Sequence, residues 1–261
     1  MKRNTINHIA SAGIIYPKND PTKIFLEIKD KTYPIKKFRH SLCLIGGNWI
    51  GKAAKKDQSP SSTFNREVEE ELSFRKPLVS STELKLLGIK NSKDYQIKKL
   101  KHKPDSKDIK SLRSIKTIIK KSKKPWGDFI HTINQKEILL SNFIGQNKNL
   151  VFVNSYWLIP LKEKDWAILE NLQKKFGNLS EESQTVIISI DDILKNKIQI
   201  IWGHDHILKK FFLKNKINSA NRLSIFKNIQ SKNLGKTLKS YKEYKKKFTI
   251  LRNPFLDKNL A

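Results

Sequence analysis

An α/β fold is what this sequence predicts, and three observations predict it. Short β-prone runs and segments of helical period take turns along the chain instead of forming one block of each. One segment, residues 59–74, carries both helix-start chemistry and a continuous apolar stripe. A strand-then-helix order then recurs between residues 149 and 213.

Taken in order, "HIASAGIIYP" (8–17) and "TKIFLEIKD" (22–30) are strands joined by the Asn-Asp-Pro turn of "KNDP", which makes them a hairpin. "HSLCLIGG" (40–47) is a third apolar run, ended by Gly46 and Gly47 where the backbone needs freedom or a close approach to a ligand. In "SPSSTFNREVEEELSF" Ser59 caps a helix and Pro60 suits its first position, while Phe64, Val68 and Leu72 recur at helical spacing. "STELKLLGIK" (81–90) is a further strand. Residues 91–125 are dominated by Lys, Ser and Asp and read as an insertion, flexible or weakly helical, with a basic contact arm as the functional alternative.

Strands resume at "WGDFIHTI" and "NLVFVNSYWLIPL" (149–161). The helix "KEKDWAILENLQKKFGN" (162–178) follows, with Trp166, Leu169 and Phe176 near helical spacing and Gly177 at its C-cap. A strand from Thr185 to Ile190, a short capped helix from near Asp191 and a helix carrying Ile207, Phe211 and Phe212 complete the pattern. From Lys216 the chain is Lys-rich, with Tyr241, Tyr244 and Phe248 at helical spacing. The expected organisation is one domain over residues 1–215 and a basic, helical or flexible extension over residues 216–261.

The chain of 261 residues holds 53 Lys plus Arg against 24 Asp plus Glu, a formal net charge of +29. Such a field favours polyanionic partners, RNA among them. It is also what AT-rich codons would produce, because Lys, Ile and Asn share them, so selection and composition both remain open. A lone cysteine, Cys43, excludes an internal disulfide framework and reads as a small buried hydrophobe. No run approaches the ~18 apolar residues of a membrane span, so the expectation is a soluble, cytoplasmic protein with no membrane partner. Oligomeric state is not legible.

The stretch "NREVEEELSF" (65–74) stands out against this charge. At about 100° per residue Glu67, Glu70 and Glu71 share a face beside the apolar stripe, and Glu69 points elsewhere. The cluster is either a solvated acidic face or a site for a cation. Together, "GG" at 46–47 and "REVEEELSF" at 66–74 resemble the signature of the Nudix hydrolases, with Arg66, Glu67, Val68, Glu70, Glu71 and Phe74 in register. Two positions depart from it: Gln58 stands where the first signature glutamate belongs, and Ser73 where a glycine follows the acidic pair. Counted from Gly47, the intervening loop is also longer by five residues.

The resemblance implies an α/β/α sandwich with a mixed sheet, and Mg²⁺-dependent cleavage of a nucleoside diphosphate linked to another moiety, with Mn²⁺ as a substitute cation. Capped RNA and free nucleotide derivatives are both within that class. It implies Glu67, Glu70 and Glu71 as metal ligands, one of them acting as base, with Arg66 orienting them and Glu182 as a further acid from a later loop. Gly46 and Gly47 would line the substrate, and Trp49, with Tyr156 or Trp157 on the later strand, would stack on a base. The alternative is a Nudix-like module that has lost turnover and binds RNA or a protein partner. "WGHDH" invites a metal reading, but His204 and His206 fall on different helix faces, so they read as helix-start residues.

Overall fold

Alternation along the strands sorts their side chains into two cores, one on each side of a sheet. The computed structural model describes residues 4–29, 33, 36–50, 57–74, 103–134, 149–180, 184–227 and 229–250. These run β1 (Asn4–Ile6), β2 (His8–Pro17), β3 (Lys23–Ile28), β4 (Leu42–Cys43), β5 (Ile45–Asn48), α1 (Pro60–Glu71), α2 (Ser106–Ser122), β6 (Lys124–Asn134), β7 (Asn149–Leu161), α3 (Glu163–Phe176), β8 (Gln184–Ser189), α4 (Ile190–Lys195), α5 (His204–Lys214), β9 (Ile229–Gly235), α6 (Tyr241–Lys247) and β10 (Phe248–Ile250). The predicted strand at 81–90 lies outside the described residues.

Eight strands form one mixed sheet. β2 lies parallel to β7, from His8 against Phe152 to Pro17 against Leu161, and its other partners, β3 and β5, are antiparallel. β6 and then β9 extend the sheet antiparallel beyond β7, and β3 carries β4 and β8. Ile14, Ile24, Leu26, Tyr156 and Ile188 point to one face and pack under α4 and α5. Their neighbours Ile15, Phe25, Trp157 and Ile187 point to the other, where α1, α2 and α3 cover them. The result is an α/β/α sandwich, consistent with the Nudix-type layering the sequence implies.

The described parts of two segments set apart by composition are built into this body. Residues 106–122 form a helix opened by a capping box between Asp105 and Asp108, and Leu112, Ile115 and Ile119 bury in the second core. That corrects the expectation of a flexible or weakly helical insertion there: a narrow apolar stripe runs through an otherwise basic sequence. Of residues 216–261, assigned to an extension, β9 hydrogen-bonds to β6 as a sheet strand. Tyr241, Tyr244 and Phe248 bury against Ile6, Ile9 and Val153.

Candidate active site

Local chemistry fixes the first turn of α1. Ser59 accepts from the Ser62 amide at 3.1 Å, the Ser62 hydroxyl accepts from the Ser59 amide at 2.8 Å, and Pro60 opens the helix. The Ser11 hydroxyl of β2 donates to the Pro60 carbonyl at 2.8 Å, which pins this end of the helix to the sheet. Phe64, Val68 and Leu72 are fully buried, as their spacing predicts. Helical period then turns Glu67 and Glu71, four apart, towards the sheet edge, where each is only 7% exposed.

The predicted trio therefore divides. Glu67 and Glu71 are buried, while Glu70 sits at the rim with its side chain 55% exposed. Arg66 ties the first to the last: Nη2 contacts Glu67 Oε1 at 2.6 Å and Nη1 contacts Glu70 Oε2 at 2.5 Å. Nη2 also donates to the Asn48 carbonyl at 2.7 Å, and Nε donates to Asp57 Oδ2 at 3.3 Å. One guanidinium thus holds three carboxylates and the end of β5 in fixed relation. Glu69 points away and pairs with Lys116 at 3.2 Å and with Lys120, both on α2.

Gly46 and Gly47 lie on β5, opposite Ala12 and Ser11 of β2. A Cβ at Gly47 would lie 2.5 Å from both Glu67 carboxylate oxygens, so the absent side chain is the space that carboxylate occupies. Gly46 has φ +150° and backs directly onto the β2 main chain. Glu182, the predicted acid from the later loop, lies outside the described residues. Ser73 needs no glycine's freedom: α1 ends with Leu72 extended at φ −90°, and the Ser73 amide donates to the Leu179 carbonyl at 3.0 Å.

Two acids that sequence reasoning missed complete the cluster. Glu27 on β3 is fully buried; it accepts from Lys29 Nζ at 2.7 Å and from the Ser180 hydroxyl at 3.4 Å. The same Ser180 hydroxyl lies 3.3 Å from Glu71 Oε2, bridging the two acids. Strand alternation offered a signal, since Glu27 shares the face of Phe25, a core residue, and a carboxylate on a core face is unusual. Asp57, 2% exposed, stands one residue before Gln58 and gives Arg66 the carboxylate that Gln58 lacks. Its position depends on the path of the lengthened loop, which spacing alone does not reveal.

Burial dominates the electrostatics. Desolvation raises the Glu67 carboxyl to about 7, helped by the charges of Glu70 and Glu27 and opposed by Arg66. Desolvation followed by the neighbouring Glu27 lifts Glu71 much further, so this pair retains a proton well above neutral pH. Lys29 stays charged despite its burial because the surrounding anionic groups hold its pKa up.

This surplus of buried carboxylate oxygen is the donor chemistry that a hard divalent cation takes. Among the described residues, no group of three or more His, Cys, Asp or Glu side chains is arranged to enclose a metal ion. A closed cage is not required for Mg²⁺, which commonly binds through one or two carboxylates and completes its shell with waters and phosphate oxygens. The residues therefore fit the cation in donor type and charge.

The other sequence candidates occupy structural positions. Trp49 stacks on Tyr241 with ring centroids 4.4 Å apart, and its indole N–H donates to the Asp57 carbonyl at 3.0 Å. Tyr156 and Trp157 are buried in the two cores. His204 opens α5, where Nδ1 accepts from the Leu44 amide at 3.0 Å, in keeping with a helix-start role.

No protein-family model matches this chain, and no curated protein matches it. Among solved structures it is similar to a NUDIX hydrolase from Alicyclobacillus acidocaldarius, at 11% sequence identity and a TM-score of 0.41, over 85% of this chain and 99% of that one. No helix among the described residues is long and apolar enough to cross a membrane.

Proposed function

We propose that the protein is a pyrophosphate-bond hydrolase acting on a nucleoside diphosphate linked to another moiety. The observation that carries this reading is the run of carboxylates along α1, with Glu67 and the rim residue Glu70 gripped by Arg66 and the buried Glu71 bridged to Glu27 by the Ser180 hydroxyl. Resemblance of residues 66–74 to the Nudix signature supports it independently. Glu70 and Glu71, with Glu67 beside them, would hold Mg²⁺ or Mn²⁺; when bound, that cation supplies charge neutralisation for the phosphates and acidifies water.

The chain's own residues supply the remaining work. Glu67, raised to about 7, is the carboxylate best matched to taking a proton from an attacking water near neutral pH. Arg66 fixes that carboxylate's direction through a 2.6 Å ion pair. Gly47 leaves the space in which it stands. Burial on the sheet side excludes bulk water from Glu67 and Glu71, which strengthens every charge interaction there.

A second reading, a binding module without turnover, is favoured by one observation: Arg66 occupies Glu67 and Glu70 together, which satisfies the acids internally. The basic surface would then hold RNA or an acidic protein partner. A product assay with Mg²⁺ over capped RNA, nucleotide sugars and dinucleotides separates the two. Hydrolysis of at least one substrate, lost in Glu67→Gln, supports the first reading. No product from the whole panel, with salt-sensitive RNA binding retained, supports the second.

A further inference from the structure

We propose that Tyr241, about 170 residues beyond the acidic helix, is a positioning residue for Arg66, so that the C-terminal segment is part of the site. The proposal rests on the hydrolase reading for its kinetic consequence alone, since the structural link stands on its own contacts.

A chain of hydrogen bonds carries it. The Thr63 hydroxyl, buried on the first turn of α1, donates to Asp57 Oδ1. A hydroxyl has one proton, so the Tyr241 hydroxyl, 2.6 Å away, donates to Thr63 Oγ1. The other Asp57 oxygen accepts from Arg66 Nε at 3.3 Å, and Arg66 in turn grips Glu67 and Glu70. The orientation of Tyr241 therefore reaches the acids through three side chains.

Further contacts hold Tyr241 against the loop that carries Asp57. Its amide donates to the Gln58 carbonyl at 3.1 Å, and its ring stacks on Trp49, whose indole donates to the Asp57 carbonyl at 3.0 Å. One turn along α6, the Tyr244 hydroxyl lies 2.6 Å from Asp128 Oδ2 and 2.8 Å from the Ser155 hydroxyl. α6 is thus anchored on the sheet through Tyr244 and acts on α1 through Tyr241. Asp57 and Gln58, where the signature would have its first glutamate, are held by a residue from elsewhere in the chain.

The test uses the full-length protein carrying Tyr241→Phe, which keeps the stacked ring and removes the hydroxyl, and Thr63→Val, which keeps shape and breaks the same link. The first readout is the Arg66 Nε–H resonance in ¹⁵N NMR without substrate. Both variants should speed its exchange with water at least about threefold while the protein stays folded by the same spectrum, because the hydrogen-bond chain that orients Asp57 is broken, at Tyr241 in one and at Thr63 in the other. The second readout is turnover of the fastest-cleaved member of the nucleotide panel. There kcat should fall about tenfold in both variants, with KM changed less than about twofold, the signature of lost orientation at the reacting group. An unchanged Arg66 resonance in both variants overturns the proposal, as does a rise in KM alone. If the wild type cleaves nothing in the panel, the hydrolase reading fails while the NMR comparison still decides the link.

Discussion

Replacing Glu71 by glutamine should stabilise the protein at neutral pH while removing a group the proposed chemistry needs. Glu71 is 7% exposed, and desolvation together with Glu27 lifts its pKa from 4.5 to about 10. In the unfolded chain the same carboxyl ionises at its ordinary value. Below pH 4.5 it is protonated in both states and costs nothing. As pH rises above that value, folding must take up a proton, and stability declines steadily until the folded pKa is reached. At pH 7 the separation from the unfolded value of 4.5 costs about 3 kcal/mol, at about 1.4 kcal/mol per pH unit.

Glutamine has no such proton to take up and can keep the Ser180 contact. Urea unfolding of both proteins in chelator, from pH 4.5 to 8, measures the difference directly. The variant should gain on the wild type progressively, up to about 3 kcal/mol at pH 7, with the two near parity at pH 4.5. A variant less stable than wild type at pH 7, or a difference that does not change with pH, would refute the burial argument for Glu71. The trade of stability for a desolvated acid is what a functional site exhibits.

Other predictions follow from single contacts. Phe64→Ala should cost ~3–5 kcal/mol, because the ring is fully buried against Gly13 and Ile159, and a loss under about 1 kcal/mol in urea unfolding would mean the α1 faces are wrongly assigned. Gly47→Ala should displace the Glu67 carboxylate and lower kcat at least about tenfold; wild-type rates in a folded variant would remove Glu67 from the site. Glu69→Gln should leave activity unchanged and cost at most about 1 kcal/mol, since its pairs with Lys116 and Lys120 are partly solvated, and a large kinetic effect would contradict the division of the glutamates.

What the sequence revealed depended on how local each signal was. Strands β2, β3, β7 and β8 and the α1 stripe were legible because alternation and helical period are written in neighbouring residues, whereas β1, β9 and β10 were not read as strands. The α2 stripe of Leu112, Ile115 and Ile119 has the same period, but the Lys, Ser and Asp residues that dominate the segment made it read as flexible or weakly helical. Glu67, Glu70 and Glu71 were found together by spacing, yet their unequal burial comes from which side of α1 meets β5. Glu27 and Asp57 join the cluster only through strand pairing and loop closure. Tyr241 was read only as one of three aromatics at helical spacing, with Tyr244 and Phe248, and nothing in its neighbourhood announces that its hydroxyl faces Thr63.

The most direct test of the central claim is cleavage of a phosphoanhydride substrate by the wild type with Mg²⁺, after chelation, and in Glu70→Gln and Glu71→Gln. Turnover that requires the cation and falls at least about a hundredfold in both variants is the predicted result. Turnover indifferent to chelation and to both substitutions would contradict it.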